Sequence, residues 1–461
     1  MIVLPLLVVH YYDSNGVFPK VFKIARITPI FKKGSKINPT NYRPIASLPF
    51  LSKIFEKTTY SRLVSYLDKY NLFSIYQFGF RNNMSTKDAI SNLTEQIYNS
   101  LDDRKYHICA LLDFTKVFDT INHPILLKKL QNYGIRGVAL SWFQSYLLDR
   151  KQYLKINSAV SSQKIVNIGV PQGSVIGCLL FLIYINDLPN VSNDVKTLLY
   201  ADDTTLSISG THYDEVVNRL NSALENVRSW TVTNRLTINV QKTQLIDFSN
   251  RPRNSNLPIS LNNEQLNFTT ECIYLGVTID DNINFSRHIS KLKTKLARFC
   301  GILSKISYLL PRSARMNYYY GFIYPNLIYN IEIWCGTFPS HLDRLIVIHK
   351  RIVRIIAGAP PLSHSSPIFH DLKILKYDIY RLQLAIYMFN ARHNYPVRHS
   401  LNTRSRGLPV SSFHRLTTTQ HSISYMGPKI WNELPRNLTE ISRFGEFKRK
   451  LKDYFIEQYS E

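Results

Sequence analysis

Cysteine is scarce in this chain, and acid is scarcer than base. Five cysteines, at 109, 178, 272, 300 and 335, are spread through 461 residues, and none stands in a Cys-x-x-Cys pair. That excludes a disulfide scaffold, a zinc ribbon and a zinc knuckle, and the odd, sparse count fits a reducing compartment. The series Cys335, His341, His349 matches no zinc-ligand spacing. Long hydrophobic runs are also missing. Residues 2–9 are apolar but contain Pro5 and follow no base. They are too short for a bilayer span and make a poor signal peptide, so the start of a folded element or of a truncated gene model is expected there. Residues 175–185 form an 11-residue apolar run closed by Asn186-Asp187. Gly169, Gly173 and Gly177 mimic a membrane GxxxG face, but that run is too short, so no membrane partner is expected. Asp and Glu total 32 against 57 Lys and Arg, a formal charge of +25. Such a surplus predicts attraction to a polyanion.

What is present is ordinary globular material, 44% apolar and 19% charged, long enough for two to four domains. The charge is uneven. Residues 1–283 carry 30 bases and 22 acids, whereas residues 284–461 carry 27 and 10. No acid occurs between Asp281 and Glu332, while Arg287, Lys291, Lys293, Lys295, Arg298, Lys305, Arg312 and Arg315 all do. Ile289, Leu292, Leu296, Phe299, Leu303 and Ile306 recur there at helical spacing. The pattern predicts an amphipathic helix whose cationic face meets nucleic acid, because solvated helices normally interleave both signs.

The apolar run 108–112 predicts a buried central strand, and 123–150 reads as two helices broken near Gly134. Residues 152–156, 236–239 and 244–248 read as strands, 175–185 as a buried helix, 197–209 as a hairpin and 214–230 as an amphipathic helix. Junctions are expected at 249–263 and 358–367, where Asn, Ser and Pro cluster.

The chemistry gathers on carboxylates at strand ends. Asp113 follows the buried run directly. Asp202 and Asp203 sit at the tip of the hairpin, where two like charges repel and turn chemistry asks for neither. A divalent cation resolves that repulsion, and three carboxylates from two strands suit two metal ions in phosphoryl transfer. The pairs Asp102-Asp103 and Asp280-Asp281 lack flanking strand alternation and read as solvated turns. Gly169-Val-Pro-Gln-Gly-Ser174 opens the buried helix. Its glycines allow close backbone approach to a ligand, and Gln172 offers both donor and acceptor. By itself, that loop reads rather as a plain Pro-Gly loop entering a helix.

Together these segments resemble the reverse transcriptases of LINE-type, non-LTR retrotransposons of the jockey type. Residues 112–120 (LDFTKVFDT) resemble motif A, 168–187 motif B and Tyr200-Ala-Asp-Asp203 motif C. Asn41-Tyr-Arg-Pro-Ile45 with 51–57, and Gln77-Phe-Gly-Phe-Arg81 with Ser85-Thr86, resemble the fingers motifs. Residues 239–243 resemble motif D, and Tyr274-Leu-Gly-Val277 the primer-grip region. The likeness is collinear over about residues 20–280; beyond 284 it is looser and includes Trp431-Asn-Glu-Leu-Pro435. Val117 replaces a usual Ala, and Cys178 a common Pro, the latter read as a small buried apolar residue.

The resemblance implies an α+β right-hand polymerase: fingers and a ferredoxin-like βαββαβ palm over 12–280, a helical thumb over 281–357, and a basic, mostly helical C-terminal region over 358–461. It implies an RNA-directed DNA polymerase acting on an RNA template, a DNA primer or target, and dNTPs. Asp113 and Asp202 would hold two Mg²⁺ ions, with Mn²⁺ as a substitute, and Asp203 would support them. Arg43, aided by Lys32 and Lys33, would hold the triphosphate. Phe118 would exclude a 2′-OH, Gln172 would contact nucleotide and template, and Lys242 would be a general acid for pyrophosphate. Asp119 reads as structural. Arg287, Lys291, Lys293, Lys295 and Arg298 would grip the duplex through phosphates. Neither the family's upstream endonuclease nor an RNase H pattern is apparent. The site is expected to meet nuclear DNA and cytoplasmic RNA. A catalytically idle nucleic-acid-binding remnant of a mobile element is the alternative.

Overall fold

The computed structural model describes residues 14–249, 251–252, 257–376, 378–396, 409–411 and 413–459. The apolar stretch at 2–9 and part of the junction expected at 249–263 lie outside them.

The chain enters with β1 (Ile24–Phe31) and β2 (Tyr42–Ser47), an antiparallel hairpin in which Ile30 faces Arg43. Helices α1 (Phe50–Lys69) and α2 (Thr86–Asp102) follow. Ser85 starts α2 with a reciprocal capping box to Asp88, which satisfies two otherwise orphaned groups. The expected central strand is β3 (Tyr106–Leu112), buried at six of its seven positions. After it come the short α3 (Val117–Thr120), α4 (His123–Asn132) and α5 (Gly137–Leu147). The break between the last two falls at Gly134, whose φ is +88°, a conformation glycine adopts without strain.

Strands β4 (Arg150–Ile156), β5 (Ala159–Val160) and β6 (Lys164–Val166) return to the first hairpin, with β4 lying parallel to β1. The apolar run becomes α6 (Gly177–Ile185), buried at every position except Cys178, which is half-buried rather than the fully buried residue expected. Then come β7 (Lys196–Tyr200), β8 (Asp203–Gly210), α7 (Tyr213–Thr233) and β9 (Gln244–Asp247). The second sheet has the order β7-β8-β3-β9 with antiparallel neighbours throughout. Helices cross between β3 and β7 and between β8 and β9. This is a βαββαβ palm, with α6 and α7 packed into the cluster that holds Ile108, Ala110 and Leu206.

Two small hairpins follow, β10 (Ile259–Leu261) with β11 (Glu264–Leu266) and β12 (Glu271–Tyr274) with β13 (Val277–Asp280). Among the described residues no strand follows Asp280. Helix α8 (Ser286–Ile306) buries Ile289, Leu292, Leu296, Cys300 and Leu303 as one stripe and packs on α9 (Pro339–Ala357). His349 of α9 is buried against the Tyr319 hydroxyl at 3.0 Å. Helices α10 (Asp378–Ala391), α11 (Ile423–Glu433) and α12 (Phe444–Glu457) join the same hydrophobic cluster, which runs without a break into α2.

Two expectations fail here, through a local cap in one case and through buried or distant partners in the other. Residues 236–239 make only a single bridge, Ile238 to Phe114, and Asn239 caps a 3₁₀ turn at Val240–Lys242, so no strand forms. Asp102 and Asp280 are not solvated turn residues. Asp280 is buried and accepts from the Asn284 amide at 3.1 Å, ahead of α8. Asp102 accepts from Leu416 N at 3.0 Å, Thr419 Oγ1 at 2.8 Å and His414 Nδ1 at 2.6 Å. Burial pushes the Asp102 carboxyl up, but these donors outweigh it and hold the group below its ordinary range. The stabilisation is therefore present above the ordinary carboxylate range and lost as acid protonates Asp102 below it. Asp102→Ala orphans those donors, so a loss of about 2 kcal/mol or more is expected. Hydrogen exchange should speed up in residues 413–433 before it does in α7; uniform exchange would show that Asp102 does not anchor this region.

Candidate active site

The register of the palm sheet brings the acids together. Leu112 of β3 pairs with Thr204 of β8, and Tyr200 pairs with Asp203 across the β7–β8 turn. Asp113 therefore leaves β3 opposite Asp203, with Asp202 in the two-residue turn beside it. Ala201, the other turn residue, has φ +54°, an uncommon conformation for a residue with a β-carbon. Both turn carboxylates reach solvent, yet enough protein lies behind them to disfavour charge. Burial, then Asp202, then Asp113 push Asp203 up to about 6. Burial, opposed by a bond to its own backbone, and then Asp113 raise Asp202, while Arg43 and Lys32 pull it down. Those two bases of the β1–β2 hairpin thus face the acids; Lys33 is exposed one residue further along.

Lys242 Nζ lies 3.0 Å from Asp113 Oδ2. Its turn hangs from the same strand end, since Asn239 N donates to Asp113 O at 2.7 Å. Burial, and after it the nearby Asp202 carboxylate, raise the Cys178 thiol. The hairpin β12–β13 turns through Leu275 and Gly276, both at positive φ, and the Tyr329 hydroxyl holds Leu275 O at 2.8 Å.

The glycine loop is pinned on both sides. Gly169 N donates to Ile121 O and Val170 N to Phe118 O, each at 2.7 Å. Gly169 has φ +81°, and a β-carbon there would meet the Asp119 carbonyl. Across the loop, Ala46 N of β2 donates to Gln172 O at 2.7 Å. Gln172 Nε2 donates to Asp119 Oδ1 at 2.9 Å, and Phe118 packs on Phe181 with centroids 5.1 Å apart. The two motifs that flank the site thus share one network.

Sequence reasoning missed two buried residues. Glu56 of α1 is fully buried; its Oε2 accepts from Val175 N at 2.6 Å and its Oε1 from Ser52 Oγ at 3.0 Å, so a fingers helix steadies the entry into α6. Gln77, also fully buried, touches the Ala201-Asp202 turn itself. Both stand inside segments that resemble the fingers motifs, but nothing local marks either residue as buried or names its partner.

A model for "Reverse transcriptase (RNA-dependent DNA polymerase)" matches residues 30–279. The chain belongs to the reverse transcriptase family. It is 30% identical over 375 residues to the RNA-directed DNA polymerase from mobile element jockey of Drosophila melanogaster, covering 78% of this chain and 40% of that one. It is 29% identical over 422 residues to a probable RNA-directed DNA polymerase from transposon BS of the same species, covering 87% and 45%. It spans less than half the length of these relatives. An apo telomerase of Candida tropicalis superposes with a TM-score of 0.40 at 13% identity, over 60% of this chain and 58% of that one. Membership of this family implies dependence on a divalent metal. The residues present suit one in chemistry: Asp113 and Asp202 lie near enough to raise the Asp203 carboxyl, repulsion that a hard cation relieves, although among the described residues no three such side chains are gathered into a preformed metal cage.

The thumb-side cations are only partly free. Glu271 of β12 takes Lys291 at 3.0 Å and Arg287 at 3.6 Å, an acid invisible to a count along α8. Lys293, Lys295 and Arg298 have no acid in salt-bridge range among the described residues.

A cation held by Asp203 would need that carboxyl ionised, so divalent-metal affinity is expected to fall as pH drops through about 6. The metal-induced rise in Tm at pH 8 should shrink at pH 5, and Asp203→Asn should flatten that dependence. A pH-independent rise would refute it.

Proposed function

We propose that this chain is the polymerase of a non-LTR retrotransposon, an RNA-directed DNA polymerase that adds dNTPs to a primer 3′-OH on an RNA template. The observation that carries the reading is the meeting of Asp113, Asp202 and Asp203 at one sheet end, faced by Arg43 and Lys32. Asp113 and Asp202 would hold two Mg²⁺ ions, or Mn²⁺ in their place, with Asp203 in support. Bound there, the metals supply activation of the 3′-OH and charge neutralisation at the leaving phosphate.

The chain's own residues do the rest. Arg43 clamps the triphosphate, with Lys32 and Lys33 adding positive charge. Gln172 keeps its carbonyl oxygen and its second N–H proton for the nucleotide, while Asp119 fixes its orientation. The Phe118 ring, braced by Phe181, closes the space a 2′-OH needs. Lys242 waits on Asp113 and gives its proton to the departing pyrophosphate. Lys293, Lys295 and Arg298 hold duplex phosphates without reading sequence; Arg287 and Lys291 contribute less because Glu271 neutralises them. Residues 12–280 serve as fingers and palm, 281–357 as thumb, and 358–461 as a basic C-terminal region.

The test is extension of oligo(dT) on poly(rA) with Mg²⁺. Asp202→Ala should abolish extension by about a thousandfold or more while template–primer binding persists. Equal extension by both proteins would overturn the assignment. Phe118→Ala should narrow the preference for dNTP over NTP by about tenfold; an unchanged preference would remove Phe118 as the gate.

A further inference from the structure

We infer that Gln77 is a positioning residue for the metal-binding turn, setting where Asp202 stands. The inference rests on the polymerase reading above and adds a residue to its machinery. Gln77 is fully buried, 124 residues from the turn in sequence. Its Oε1 accepts two backbone N–H groups, from Ala201 at 3.1 Å and Gly79 at 2.8 Å. Ala201 immediately precedes Asp202 and carries the turn's positive φ. A two-residue turn leaves its first amide with no ladder partner, so this side chain supplies the acceptor.

The backbone around Gln77 reinforces the contact. Leu199 of β7 donates to Tyr76 O at 2.9 Å and accepts from Phe78 N at 2.8 Å, a parallel bridge beside the turn. Gly79 lies so close that a β-carbon would collide with the Ala201 amide nitrogen. The segment is itself fastened down. Arg81 Nη1 donates to Ser74 O at 2.9 Å, and its Cζ sits 4.9 Å from the centroid of the Phe73 ring. Asn186, at the end of α6, accepts from Ser74 N and donates to Leu72 O. Gln77 Nε2 is buried with no partner among the described residues. An unmade bond of that kind costs about 1–3 kcal/mol. It is the oxygen of this side chain, and not its nitrogen, that makes the contacts.

Gln77→Leu preserves volume and removes the acceptor. It should raise the Mg²⁺ concentration for half-maximal extension several-fold. The Mg²⁺ midpoint of the metal-induced Tm rise, read without substrate, should move by the same factor. Template–primer affinity in metal-free buffer should stay within twofold. Ile352→Val, a core change in α9, controls for lost stability and should leave both midpoints in place. If Gln77→Leu does not fold, Gln77→Met keeps the shape with a weaker acceptor and should shift the midpoints in the same direction. Unmoved midpoints in the Gln77 variants, or an equal shift in Ile352→Val, would overturn the inference. A wild-type chain that extends no primer but still shows the metal-induced Tm rise would sink the polymerase reading alone, and the Tm midpoints would still decide the role of Gln77.

Discussion

Repulsion among Asp113, Asp202 and Asp203 is the force around which the palm is arranged. The antiparallel register of β3 and β8 places the three acids at one sheet end, where burial and proximity disfavour charge on Asp202 and Asp203. A sheet alone would let such a turn splay. Here it is held by neighbours that carry no charge, and by cations placed opposite. Lys242 answers Asp113 directly at 3.0 Å, and Arg43 and Lys32 answer Asp202 from the fingers. The site is therefore electrostatically prepared for a hard cation, since its own bases compensate only part of the charge.

Among the contacts between the fingers and the palm, three join a buried side chain or strand to the backbone beside the site. Glu56 takes the amide of Val175, Ala46 donates to Gln172 O, and Gln77 takes the amide of Ala201. Backbone contacts fix position without dictating which side chain stands there. Glu56 is an acid raised by burial, then lowered in part by the Val175 amide and Ser52. A carboxylate in such surroundings is satisfied only where it caps a helix entry, which ties α1 to the glycine loop. Two of the three points converge on the motif that carries Gln172, and the third on the motif that carries Asp202.

Legibility in the sequence followed the range of the interaction. The alternation around Asp202-Asp203, the buried run before Asp113 and the stripe of α8 are local patterns, and each became the expected element. The family motifs then ordered them into a right hand with a βαββαβ palm. What stayed hidden is long-range. Glu271 lies 20 residues before Lys291 and on another element, so the acid-free stretch looked more open than it is. Asp102 looked like half of a surface pair because its partners lie more than 300 residues away. Residues 236–239 read as a strand because Leu236 and Ile238 alternate, but Asn239 offers the backbone a competing cap. A lysine at the end of a short turn gave no sign that Asp113 was its partner.

The same range argument gives the C-terminal helices a mechanical place. Residues 76–79, which hold the catalytic turn, lead directly into α2. That helix is gripped by later segments along its length: Lys87 meets Glu332 at 3.2 Å, Glu95 accepts from Ser424 Oγ at 2.8 Å, and Asp102 takes the 414–419 loop. The shared hydrophobic cluster joins α2 to α10, α11 and α12. Movement of α2 relative to the palm sheet would act on Gln77 first, because only a short capped segment separates them. The helices after residue 357 thus hold, by packing and by polar contacts alike, the one helix that follows the Gln77 segment.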